Sequence, residues 1–252
     1  MLHSILVDSF AVMLPAGERF FIRSLRHHEA QIPDAFVRLG ITGYATQEAF
    51  HTREHEAYNR GLRALGYDPE EVSERLRRVL PPSNAPMNCL LTTCAIEHIT
   101  YALSRTILAH PSLFADAKPA YRELWTWHAL EEVEHANVAL AVLAEAQRGR
   151  PAPLAYIVRC MAFNVVLFKF VREALKNARA MKIAAGITPG WRSWGRLAWL
   201  ILGRPGWMRR GAGYFLAYYK PGYGRGDAHD LAVITTARAR LDTMLAGRPA
   251  LS

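Results

Sequence analysis

The chain has 252 residues, a length that a single hydrophobic core with an elaborate extension can serve, so two large domains are not expected. Its formal charge of +9 is unevenly divided: residues 1–150 carry 15 Lys and Arg against 18 Asp and Glu, whereas the remainder carries 16 against 4. Hydrophobic residues at 51% and aromatics at 10% exclude an intrinsically disordered chain.

Three cysteines, Cys89, Cys94 and Cys160, cannot all pair within the chain and form no CxxC, so a reducing, cytoplasmic setting is expected. The apolar N-terminus lacks the basic region and cleavage site of a signal peptide. The best candidate for a membrane span, Ala155 to Phe170, contains Arg159 and Lys169 and is too short an apolar run. It reads as a buried helix.

Apolar residues return every three or four positions through most of the chain, which predicts helices rather than strands. The first is expected over Pro15–His28, with Pro at its start and Pro33 as a limit. A short helix follows, then a longer one over Thr42–Leu65, ended by Gly66. Pro69–Leu80 reads as a charged surface helix, and Pro81–Pro86 as a linker. Met87–Ala109, Pro119–Arg148 and Ala152–Ala184 read as long helices. Beyond the break at 186–190, shorter helices are expected over Trp191–Leu202, Trp207–Tyr219 and Asp227–Leu245. The expected architecture is all-α: a helical core over residues 1–184, with a basic, Trp-rich helical extension over 185–252.

Four segments carry acids and histidines at metal-ligand spacing. In Thr42–Leu65, Glu48 and His51 stand three residues apart, which puts a carboxylate and an imidazole on neighbouring parts of one helical face. His55 follows one turn on. Glu132 and His135 repeat the pair in the Pro119–Arg148 helix, with His128 two turns before His135. Trp125, Val138 and Leu140 surround this motif with core-forming residues, and a charge there is costly unless paired or bound to metal. Glu131 and Glu134 are the competing acids. A two-metal helical site of this kind also draws one Glu from each of two further helices. Glu97 supplies one, on a face shared with Leu90, Cys94 and Tyr101. Glu18 is preferred over Glu29 for the other, because Glu29 lies near the helix end. His98 points off the Glu97 face and is assigned, like His55, to supporting hydrogen bonds, or else to a satisfied structural role.

The segments Pro15–Phe20, Gln47 through His51 with His55 and Tyr58-Asn59, Glu97-His98-Ile99-Thr100, and Trp125–His135 resemble the predicted metal-dependent hydrolases of the ferritin-like superfamily. The ligand pattern also resembles the di-iron p-aminobenzoate N-oxygenases, whose extra histidine on the last core helix is matched by His128. One departure stands out. The family carries an aromatic-His-Pro-Trp segment before its final helix, whereas this chain reads Lys220-Pro221-Gly222-Tyr223-Gly224-Arg225-Gly226-Asp227, with Gly224 in the histidine's place.

The expected ligands are therefore Glu18, Glu48, His51, Glu97, His128, Glu132 and His135, the four glutamates being also the expected catalytic groups. Oxygen and nitrogen donors without thiolates suit iron, with manganese or a mixed manganese–iron pair as the alternative. The four carboxylates balance two divalent ions. The leading expectation is a di-iron oxygenase or oxidase acting on a small organic substrate with dioxygen and an electron donor. Phe21, Tyr101, Trp125 and Phe163 are candidate pocket walls. The alternative is a metal-dependent hydrolase using a metal-bound hydroxide. A third reading starts from Trp191, Trp194, Trp199 and Trp207, interleaved with Arg192, Arg196, Arg204, Arg209 and Arg210: a protein docking on an anionic membrane or an acidic partner, with a structural metal. The plainer account of that stretch is a solvated basic face with its tryptophans packed inward. No nucleic-acid-binding motif is present, and a homodimer is compatible with the sequence.

Overall fold

The computed structural model describes residues 1–135, 137–204, 206–224 and 228–246, with the side chains of residues 134, 135 and 228–230 outside the description. All regular structure among these residues is helical: α1 (Leu2–Ala11), α2 (Leu14–Glu29), α3 (Ala35–Ala64), α4 (Pro69–Val79), α5 (Pro86–Ala109), α6 (Pro119–His135), α7 (Val138–Ala146), α8 (Ala152–Ala184), α9 (Trp191–Ala198), α10 (Trp207–Ala217) and α11 (Ala228–Ala246). A 3-10 turn covers Pro111–Phe114, and a π-helical turn, Trp199–Gly203, continues α9.

Local chemistry sets the helix ends. The Asp34 carboxylate starts α3 by accepting from the backbone N–H of Phe36 at 2.8 Å and of Val37 at 3.4 Å. At the other end Gly66 adopts φ 80°, and the N–H groups of Gly66 and Tyr67 bond back to the carbonyls of Arg63 and Leu62. That left-handed turn suits glycine.

The helices differ from the sequence expectation in four places. Residues 2–11 form a helix of their own, and α3 is one 30-residue helix where a short and a longer one were expected. Where a single helix was expected over Pro119–Arg148, α6 ends at His135 and α7 begins at Val138. The fourth difference concerns α8. It contains an 18-residue window of mean hydropathy 1.8, long and apolar enough to cross a membrane by length and composition, but only 17% of that window is buried. The expected helix over Ala152–Ala184 is present, but the expectation that its Ala155–Phe170 run is buried is corrected: α8 buries one narrow edge, and its other face is open.

The chain forms two compact units, one comprising Met1–Ile96 with Val138–Arg209 and the other Glu97–Asn137 with Arg210–Ser252. In the first, α2 packs along α3, α7 packs on both, and α1 packs on α8 and α9. Its core gathers Phe20, Phe21, Leu25, Tyr44, Leu90 and Val142, all buried. Each such side chain contributes roughly 1.5–3 kcal/mol of burial. In the second unit α11 packs on α6. None of the three cysteines is joined in a disulfide, and the Cys94 thiol donates to the Ala139 carbonyl at 3.2 Å.

Candidate metal centre

In the first unit the donors come from the buried stripes of two packed helices. On α2 the stripe runs Glu18, Phe21, Leu25, His28; on α3 it runs Ile41, Tyr44, Glu48, His51, His55, Asn59, Leu62. Steps of three and four residues keep each set on one helical face. In α3, apolar side chains occupy both ends of the stripe and ionisable ones its middle, so chain packing places carboxylates and imidazoles where water is excluded. Glu18 is 1% exposed, and Glu48, His51 and His55 are fully buried.

Donor atoms of Glu18, Glu48 and His51 lie within 4.8 Å of one another, close enough to share an ion. Nδ1 of His51 stands 3.8 Å from Oε2 of Glu48. His55 Nδ1 lies 2.6 Å from Glu18 Oε1. An ionised carboxylate only accepts, so the imidazole donates here, which fixes the ring and leaves the other carboxylate oxygen to be satisfied. That oxygen, Glu18 Oε2, is buried and has no hydrogen-bond partner. A desolvated carboxylate oxygen in that state is expensive, and a cation would offset the cost. The residues therefore fit a bound metal ion. The rival acid Glu29 is partly exposed and paired with Arg26 at 2.8 Å.

In the second unit the same design recurs on α5 and α6. Glu97 follows Leu90 and Cys94 on one face of α5 and is 2% exposed. On α6 the stripe is Trp125, His128, Glu132, all buried. Nε2 of His128 lies 3.6 Å from Oε1 of Glu132, and the Trp125 ring stands edge-on to His128 at 5.7 Å. Glu131 faces away from this stripe and accepts a 2.9 Å bond from the Trp127 indole. The side chains of Glu134 and of the expected ligand His135 lie outside the description. Glu123 is also buried on α6, but five and nine residues from His128 and Glu132 it lies off their face.

His98 has its own surroundings. Its Nε2 is 3.0 Å from the Phe215 carbonyl and its Nδ1 2.6 Å from the Tyr223 hydroxyl, so Nε2 donates and Nδ1 accepts. Tyr101, Tyr218 and Tyr223 pack around the ring. His98 thus anchors the segment that follows α10 as a satisfied structural histidine, though the α5 sequence did not indicate its partners. Of the candidate wall residues, Phe21, Trp125 and Phe163 are buried and Tyr101 is partly exposed.

Phe21 lines an apolar cavity of about 70 Å³ inside the first unit, together with Leu14, Gly17, Ile96, Val166 and Phe170. Gly17 and Ile96 immediately precede Glu18 and Glu97 in the chain. Of the tryptophans in the basic stretch, Trp207 is buried against His3, Trp194 stacks over the Lys182 ammonium at 3.5 Å, and Trp191 and Trp199 face outward.

Residues 1–226 match the model of a protein family described as predicted metal-dependent hydrolase. No curated protein and no solved structure matches the chain.

Proposed function

The chain belongs to the predicted metal-dependent hydrolase family, and from that premise we propose that it is a hydrolase working at a two-metal carboxylate–histidine centre. The observation that carries the reading is the buried Glu18, Glu48 and His51 donor set with its unsatisfied carboxylate oxygen. Glu18, Glu48 and His51 are the proposed ligands of the first unit and Glu97, His128, Glu132 and His135 those of the second, following one another along the chain in the ferritin-like order of Glu, Glu-x-x-His, Glu, Glu-x-x-His. Four carboxylates balance two divalent cations, and oxygen and nitrogen donors without thiolate suit iron or manganese.

When bound, the metal supplies Lewis acidity to a polarised carbonyl or phosphoryl oxygen and lowers the pKa of water. The protein does the rest. His55 keeps its proton on Nδ1 and aims the Glu18 carboxylate, as a supporting partner does for a metal ligand. Trp125 closes one side of His128 against water. The cavity beside Gly17 and Phe21 receives a small apolar group of the substrate, because its lining offers almost no polar partner.

The family match favours hydrolysis over the di-iron oxygenase first expected from the donor types. Isotope labelling separates the two. The metal-loaded protein is assayed against a panel of carboxylic and phosphoric esters and amides in ¹⁸O-water under air and under argon. Cleavage that persists under argon, with label from water in the product, supports hydrolysis. Turnover that requires dioxygen and takes its oxygen from the gas overturns it.

A further inference from the structure

The open face of α8 is the largest feature that the metal site leaves without a role. Leu154, Ile157, Met161, Val165, Phe168 and Leu175 recur at helical spacing along it, and all six are exposed, Phe168 to 71% and Met161 to 65%. A contiguous apolar stripe of this length on a folded surface marks an interaction site. Trp191 and Trp199, on α9 and its π-helical continuation, are exposed to 80% and 63%. Arg192 and Arg196 line a groove with those two tryptophans and Leu2.

Charge identifies the occupant. Residues 152–204 contain nine Lys and Arg and a single acid, Glu173. That acid is buried, held by Arg75, Arg172 and Lys176. The stretch therefore presents apolar and cationic side chains to solvent, with no exposed acid among them. Two copies of this face would bring like charges together, whereas an anionic lipid surface complements them and takes tryptophan at its interface.

The other edge of α8 argues for a peripheral rather than a spanning arrangement. Along it Arg159, Phe163 and Val166 are buried and α1 packs on the helix, and farther on Asn177 donates to the Ser9 carbonyl at 3.0 Å and Glu173 keeps its three cations. Crossing a bilayer would carry Arg159, inside the apolar run, into hydrocarbon. The helix is thus fastened to the protein along one edge and free along the other. We infer that the exposed face of α8, with Trp191 and Trp199, docks this protein peripherally on an anionic lipid bilayer.

Co-sedimentation with vesicles of pure phosphatidylcholine, and of phosphatidylcholine mixed with phosphatidylglycerol, tests this directly on the full chain. The protein is expected to pellet with the mixed vesicles and remain in solution with the neutral ones. Phe168→Glu, Met161→Glu and the double change Arg192→Glu with Arg196→Glu should each weaken binding by about tenfold or more. Because these side chains are exposed, the variants should keep wild-type circular dichroism and metal content. Absence of wild-type binding to mixed vesicles, or binding that Phe168→Glu leaves unchanged, overturns the proposal. So does sedimentation velocity in which Phe168→Glu splits a wild-type dimer while lipid binding is absent, since the face would then belong to a second copy.

Discussion

His55 on α3 donates from Nδ1 to Glu18 Oε1 on α2 across 2.6 Å, and neither side chain meets solvent. The bond ties together the two helices that carry Glu18, Glu48 and His51, and it leaves Glu18 Oε2 as the oxygen available to a cation. His55 is therefore a positioning residue. Loss of such a partner costs about 10–100-fold in metal affinity. His55→Ala should show that loss in a competition titration against a chromophoric chelator, and His55→Gln, which retains a donor, should recover part of it. Unchanged affinity in His55→Ala would mean that Glu18 is held by packing alone.

His98 behaves differently, although it adjoins Glu97. Its two nitrogens are engaged by the Phe215 carbonyl and the Tyr223 hydroxyl. Tyr223→Phe removes one hydrogen bond and should lower stability by about 1 kcal/mol in urea unfolding while metal content stays at the wild-type level. Loss of metal from Tyr223→Phe would instead assign His98 to the centre.

Acid should weaken the first unit through Glu173. Burial alone would raise its pKa, but the hydrogen bonds from Lys176, Arg75 and Arg172 outweigh that and hold it below the ordinary value of 4.5. A depressed carboxyl contributes its full stability above the unfolded-state pKa, and the contribution is lost as pH falls from there through the folded-state value. Urea midpoints of the wild type should therefore drop below about pH 4.5, and those of Glu173→Gln should be lower at neutral pH and flatter across the same window. Parallel curves for the two proteins would contradict the assignment.

The cavity beside Gly17 and Phe21 predicts a steric effect on substrate. Val166→Phe projects a ring into that space. It should raise KM for substrates with an apolar group while leaving metal stoichiometry intact, at a stability cost of about 1–3 kcal/mol for overpacking. An unaltered KM would place the apolar group elsewhere.

The helices were legible where one face is apolar and the other polar. In α3 the periodicity of Tyr44, Glu48, His51 and His55 reported both helix and buried stripe, and the same pattern placed Leu90, Cys94 and Glu97 together on α5. The α1 helix was less legible: Ile5, Leu6 and Val7 are consecutive and buried, so its apolar residues show no clear period. Between His135, where α6 ends, and Val138, where α7 begins, no proline or glycine announces a division. For α8, composition misled. Ile157, Met161 and Phe168 read as core, and only the packing of α1 along one edge of the helix reveals that they face outward. Nor did the sequence indicate that Trp127 would engage Glu131, which separates that acid from Glu132.

The most direct test of the two-metal centre is elemental analysis of the reconstituted protein, compared among wild type, Glu18→Ala and Glu132→Ala. The account predicts about two ions per chain in the wild type and loss of bound metal together with hydrolytic turnover in both variants. A wild type that holds a single ion, with Glu132→Ala retaining that ion and full activity, would contradict it.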